Sequence, residues 1–161
     1  MNINATYKGL ITGILMVFVA LLLFYVFKLP PNGYNQFIIL VIYVLGLLWT
    51  MIAYKLNSQS DQGFKPYFSE GFKTFIVVTL IMVVYVLIFY KFNRQILEAV
   101  IIENNKLVIA GENHTPAEIT ENNEKIRNIF MPMTLAINTI KYLLIGAMVT
   151  VLGAVSLSKK S

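Results

Sequence analysis

From Gly9 to Phe27 this chain contains no Asp, Glu, Lys, Arg or His, and the same holds from Gln36 to Tyr54. Roughly 20 predominantly apolar residues suffice for a helix to cross the hydrocarbon of a bilayer. A backbone in hydrocarbon must satisfy its own hydrogen bonds, so such a run crosses as a helix. A third run extends from Gly71 to Phe92, with Lys73 near one end and Lys91 and Arg94 at the other. A fourth ends at Leu157. Together they predict an all-α, polytopic membrane protein with four transmembrane helices, at about 9–27, 36–54, 71–92 and 139–157. Composition agrees: charged residues make up 13% of the 161, about half the share of a soluble domain.

The ends of these runs carry punctuation. The first stops at Lys28-Leu29-Pro30-Pro31-Asn32-Gly33, where consecutive prolines forbid a continuing helix. A cleaved signal peptide is the competing reading of that run. It has only Lys8 and the α-amine as its positive region, and no A-x-A site follows, so a retained span is expected. Tyr34, Trp49 and Tyr54 lie toward the ends of the second run, where amphipathic rings favour headgroups. Ser69 is the expected N-cap of the third, with Glu70 in its first turn.

Between the third and fourth runs the character changes. Six of the eight acids lie between 93 and 128: Glu98, Glu103, Glu112, Glu118, Glu121 and Glu124. Apolar residues at 96, 97, 100, 101, 107 and 108 fit one helical face, with Gly111 as the expected cap. Thr115-Pro116-Ala117-Glu118 then reads as a helix start, Thr capping, Pro first and Glu completing a capping box. Ile119, Ile126 and Ile129 continue a stripe. An extramembrane helical hairpin over about 94–129 is expected. The apolar stretch from Ile129 to Leu157 exceeds one crossing. Lys141 sets the split: hydrocarbon from Thr139, with Phe130 to Asn138 as an interfacial lead-in loosened by Pro132.

Several strings in this layout resemble the DUF4199 family of inner-membrane proteins, found mostly in Bacteroidota. They are Phe68-Ser69-Glu70-Gly71-Phe72-Lys73-Thr74 opening the third run, Phe89-Tyr90-Lys91-Phe92 closing it, Phe130-Met131-Pro132, and the last span from Gly146 to Leu157 with its Lys159-Lys160 tail. The resemblance implies four helices in a bacterial inner membrane and assigns no activity.

The residues for chemistry are sparse. Without cysteine there are no disulfides, thiolate sites or thiol nucleophiles. The single histidine, His114, lies in a polar stretch, and a metal site needs several convergent ligands. No catalytic residue, metal or cofactor is expected, and the protein is read as not an enzyme. Glu118, Glu121 and Glu124 share a spacing but are matched with Lys125 and Arg127, the pattern of a solvated helix. The net charge of +5 flanks the spans, as in membrane proteins generally, so no nucleic acid is expected. The first three spans hold no Asp, Glu, Lys, Arg or His away from their ends; Lys141 is the one candidate for an intramembrane function, and snorkelling to headgroups is its simplest reading.

Two sets of residues stand out. Gly9 and Gly13 form a GxxxG, and Gly146, Thr150 and Ala154 a small-residue ridge; both suit close helix packing, within the chain or against a partner. Lys65, Tyr67, Phe68 and Lys73 interleave rings and ammonium groups beside the third span. They suit lipid headgroups or an anionic ligand, as does Lys141. The expected partners are membrane lipids and another membrane protein or a second copy. The expected function is a non-catalytic accessory or scaffold subunit of a bacterial inner-membrane complex; the alternative is a small oligomeric carrier or binder of a lipid or small anion. With both termini cytoplasmic, Lys8, Lys55, Lys65, Lys73, Lys159 and Lys160 are inside, and Lys28, Lys91, Arg94, Lys106, Lys125 and Arg127 outside. That balance is even; short inner segments poor in acids tip the expectation toward termini inside.

Overall fold

A computed structural model describes residues 4–31, 33–58, 63–110 and 115–158. Gly111, His114, Lys159 and Lys160 lie outside them. Within the described residues the regular structure is all helical: α1 Ala5–Leu21, continued by a π turn Leu22–Val26, α2 Gln36–Asn57, α3 Phe64–Phe92, α4 Gln95–Ala110 and α5 Pro116–Ser158. Four helices are long and apolar enough to cross a membrane: Ala5–Val26, Gln36–Asn57, α3 and α5.

Local chemistry fixes the ends. Asn4 caps α1 by accepting a hydrogen bond from the Tyr7 N–H at 3.0 Å. At the other end Lys28 has φ 57°, and the Leu29 N–H donates to the Leu23 carbonyl at 3.0 Å. Pro30 and Pro31 follow. α3 begins at Phe64, so Ser69 lies inside the helix and does not cap it. Pro66 is tolerated there because first-turn N–H groups have no intrahelical acceptor. The second helix of the expected hairpin and the last span are one helix, and Pro132 lies inside it without ending it. Proline removes one backbone bond and strains the turn before it, yet the helix runs through Pro132. α5 has 43 residues, about twice what a crossing needs. Thr115 and Glu118 form the capping box: the Thr115 N–H donates to Glu118 Oε2 at 2.7 Å and the Glu118 N–H to Thr115 Oγ1 at 3.3 Å.

The described chain divides into two compact units, Met1–Met82 with Thr139–Ser161, and Val83–Asn138. In the first unit four helical segments pack in a ring. α1 and α2 run antiparallel, with Lys8 over Trp49 and Thr12 against Gly46. α3 runs beside α1 in the same direction, Gly9 facing Val77 and Gly13 facing Ile81. The end of α5 lies parallel to α2 and antiparallel to α3, where Gly146 meets Phe75 and Gly71 meets Thr150. The interior holds Met16, Tyr43, Leu47, Met51, Tyr67, Val78 and Ala154, all within 2% of full burial. The outside is apolar too: Phe18, Leu45, Leu80, Leu144 and Leu152 are more than half exposed. A helix bundle apolar on both sides suits a lipid solvent.

In the second unit Asn93 joins α3 to α4, its side chain donating to the Phe89 carbonyl at 2.8 Å. Tyr90 meets Phe130 edge to face at 5.4 Å. Arg127 forms a bidentate pair with Glu98, Nη2 to Oε2 at 2.8 Å. Ile101 is buried, and residues 96, 97, 100 and 108 are half-buried. Leu107, expected on that face, is 72% exposed, and Ile129 is 53% exposed rather than continuing the stripe of Ile119 and Ile126. The inner positions are shared with Asn104, Asn105 and Asn123, each with a buried side-chain atom that lacks a protein partner. A periodicity count over apolar residues alone misses asparagines turned inward.

Candidate functional site

The charged and amide side chains that make contacts in the first unit collect at two places. At one end, Gln36 opens α2 directly after the two prolines. Its Nε2 donates to the Pro31 carbonyl at 2.8 Å, which leaves Oε1 as the acceptor for Lys141 Nζ at 3.1 Å. The Lys141 ammonium also lies 5.1 Å from the centre of the Tyr142 ring, within cation–π range. Lys141 is half-buried. It is tied to a neighbouring helix through Gln36. One turn further in, the Tyr43 hydroxyl donates to the Tyr142 carbonyl at 3.0 Å, and the two rings meet edge to face at 5.7 Å. A Cβ on Gly146 would collide with the Tyr43 hydroxyl and stand 2.8 Å from Phe75 Cβ. This glycine makes the room in which Tyr43 reaches its acceptor.

At the other end, Lys8 is 8% exposed and lies 5.8 Å from the centre of the Trp49 ring. Lys73 is exposed and pairs with Glu70 at 2.9 Å. Thr74 donates through Oγ1 to the Ala5 and Glu70 carbonyls, at 3.2 and 3.0 Å. Lys65 is exposed. Tyr67 is 1% exposed; it packs against Met51 and Ala154, with Phe68 alongside, and meets Tyr54 edge to face at 5.7 Å. That placement corrects the expectation of Tyr67 as a headgroup anchor: it is core. The rings that remain partly exposed form a ladder along α3, Phe64 on Phe68 at 5.5 Å and Phe68 on Phe72 at 5.9 Å.

The small residues are occupied inside the chain. Gly9 and Gly13 face α3, Gly146 faces Phe75 and Tyr43, Thr150 faces Gly71, and Ala154 is fully buried. Gly46 and Gly71 do the same work and were not singled out in the sequence. Gly71 has no small residue four away, whereas Gly46 forms a small-xxx-small pair with Thr50 that could have pointed to it. Lys8 and Gln36 were also missed as interacting groups, since both lie at span ends, where polar residues are routine.

The arrangement can hold a cation beside a neutral amide and a ring face, a setting suited to attracting an anion. Among the described residues no three His, Cys, Asp or Glu side chains gather to hold a metal ion. No curated protein and no solved structure matches the chain. A family model described as a protein of unknown function (DUF4199) matches residues 7–159, and with nearly its whole length covered the chain belongs to the DUF4199 family.

Proposed function

We propose that this protein is a non-catalytic accessory or scaffold subunit of a bacterial inner-membrane complex. Both termini are cytoplasmic, and residues 94–129 form a helical hairpin outside the hydrocarbon on the opposite side. One observation carries the reading. On α4, Ile102, Leu107 and Ile109 are 57, 72 and 65% exposed, interleaved with the exposed Glu103 and Lys106. Charges of both signs suit this helix to water, whereas three large exposed apolar side chains suit it to a covering surface. A partner helix that buries them supplies that cover.

Affinity purification of the tagged protein from native membranes in mild detergent tests this. A stoichiometric protein partner is expected with the wild type, and its loss with Ile102→Ser/Leu107→Ser/Ile109→Ser. A wild type recovered alone and monomeric sinks the proposal.

The second reading, an oligomeric carrier or binder of a lipid or small anion, draws on Lys141, held against Gln36 and the Tyr142 ring. Under that reading Lys141→Ala loses anion or lipid binding at normal expression. Unchanged binding removes Lys141 from consideration.

A further inference from the structure

On the outer face of the first unit, α2 and the end of α5 leave a groove of about 310 Å³, at the small end of ligand-sized sites. Its walls are Leu48 and Ile52 from α2 and Val149, Leu152 and Ser156 from α5, with Gly153 between them. Gly153 is buried, because Met51 fills the space where its side chain would be: a Cβ there would stand 2.8 Å from Met51 Cε. The floor is therefore set by a missing side chain. The only polar group on the walls, the Ser156 hydroxyl, donates to the Leu152 carbonyl of its own helix at 2.8 Å. The groove thus offers a mostly apolar lining whose one side-chain hydroxyl has its hydrogen already committed.

One end of the groove is different. Leu157 completes the lining, and its carbonyl accepts from Lys55 Nζ at 3.3 Å. An ammonium has three donors, and this bond uses one. Lys55 is half-buried at the last turn of α2, so the cation is held in place by a helix-end carbonyl. An apolar groove with an ammonium bonded at its Leu157 end matches a molecule with an alkyl chain and an anionic head.

The geometry points to a binding site for one anionic phospholipid on this α2–α5 face, its acyl chain in the groove and its phosphate on Lys55. The site goes beyond the accessory reading and uses neither the exposed face of α4 nor Lys141. Its failure therefore leaves both earlier readings untouched.

Native mass spectrometry of the full-length protein in mild detergent, titrated with phosphatidylglycerol or phosphatidylcholine, tests it. The first phosphatidylglycerol is expected to bind about fivefold more tightly than the first phosphatidylcholine, the advantage one lysine gives near an anionic headgroup. Lys55→Gln brings the two lipids to parity, and Lys55→Arg retains the preference. Ser156→Trp fills the groove and weakens the first binding of both lipids. Each variant is compared only after its thermal unfolding and elution volume match the wild type; Leu152→Trp replaces Ser156→Trp if that variant does not fold. Equal binding of both lipids by the wild type overturns the proposal. So does a preference that survives Lys55→Gln, or one that disappears only when Lys159 and Lys160 are neutralised.

Discussion

Lys28 has φ 57°, a left-handed conformation that costs a residue with a Cβ about 1–2 kcal/mol. The chain accepts it because Pro30 restricts Leu29 to extended backbone and the turn must be completed before the prolines begin. Glycine adopts this conformation without the Cβ penalty. Lys28→Gly is thus expected to stabilise the protein by about 0.5–1 kcal/mol, read as a higher thermal midpoint in detergent. Lys28→Ala keeps the Cβ and gives no gain; a gain equal to that of glycine would show that the charge, not the backbone, is responsible. The opposite constraint acts at Gly46, where an added Cβ would run into the buried Thr12 side chain. Gly46→Ala is expected to destabilise by about 1–3 kcal/mol. Thr12→Ala should recover part of that loss in the double variant, because the two positions touch. Strictly additive effects would place the strain elsewhere.

At the scale of elements, the charged segment offers a pH-dependent prediction. The Arg127 guanidinium, hydrogen-bonded to Glu98, holds that carboxyl below its ordinary value. The ordinary value for such a carboxyl is about 4.5. A depressed folded value means the stabilisation is complete above the unfolded value and disappears as pH falls through the folded one. Wild type should therefore exceed Glu98→Gln in thermal midpoint at neutral pH, and the gap should narrow on acidification below about pH 4.5. A constant gap at all pH values would remove the ion pair as its cause. The pair is solvent-exposed, so the gap is small and shrinks with salt.

This segment also separates what the sequence could express from what it could not. Thr115 and Glu118 announced their helix because a capping box is a local contract between residues three apart. Ser69 misled for a related reason: its type suits a cap, but the helix had already begun at Phe64, where Tyr67 gains a fully buried position. Pro132 suggested a loosened lead-in, and the helix passes through it. Whether a proline ends or merely bends a helix depends on packing that no local string records. The four spans were legible since hydrocarbon length is a one-dimensional criterion. The pairing of Gln36 with Lys141 was not, because it joins residues far apart in the chain through the arrangement of helices.

For the whole molecule, the decisive open quantity is orientation. Four crossings put both termini on one side, and apart from Lys141 within the last span the positive residues are six on each side under that layout, so the usual charge bias contributes little. The absence of cysteine turns this into a clean labelling experiment, since each introduced thiol is the only one. Tyr34 is 90% exposed in the connection between α1 and α2, Glu124 is exposed on α5, and Lys65 is exposed at the start of α3. With the termini cytoplasmic, a membrane-impermeant maleimide added to intact spheroplasts should label Tyr34→Cys and Glu124→Cys and spare Lys65→Cys until the membrane is permeabilised. The reverse pattern would invert the protein, placing the exposed apolar side chains of α4 in the cytoplasm and directing the search for its partner there. Labelling of Tyr34→Cys and Lys65→Cys from the same side would contradict a crossing by α2, and the four-span layout would fail with it.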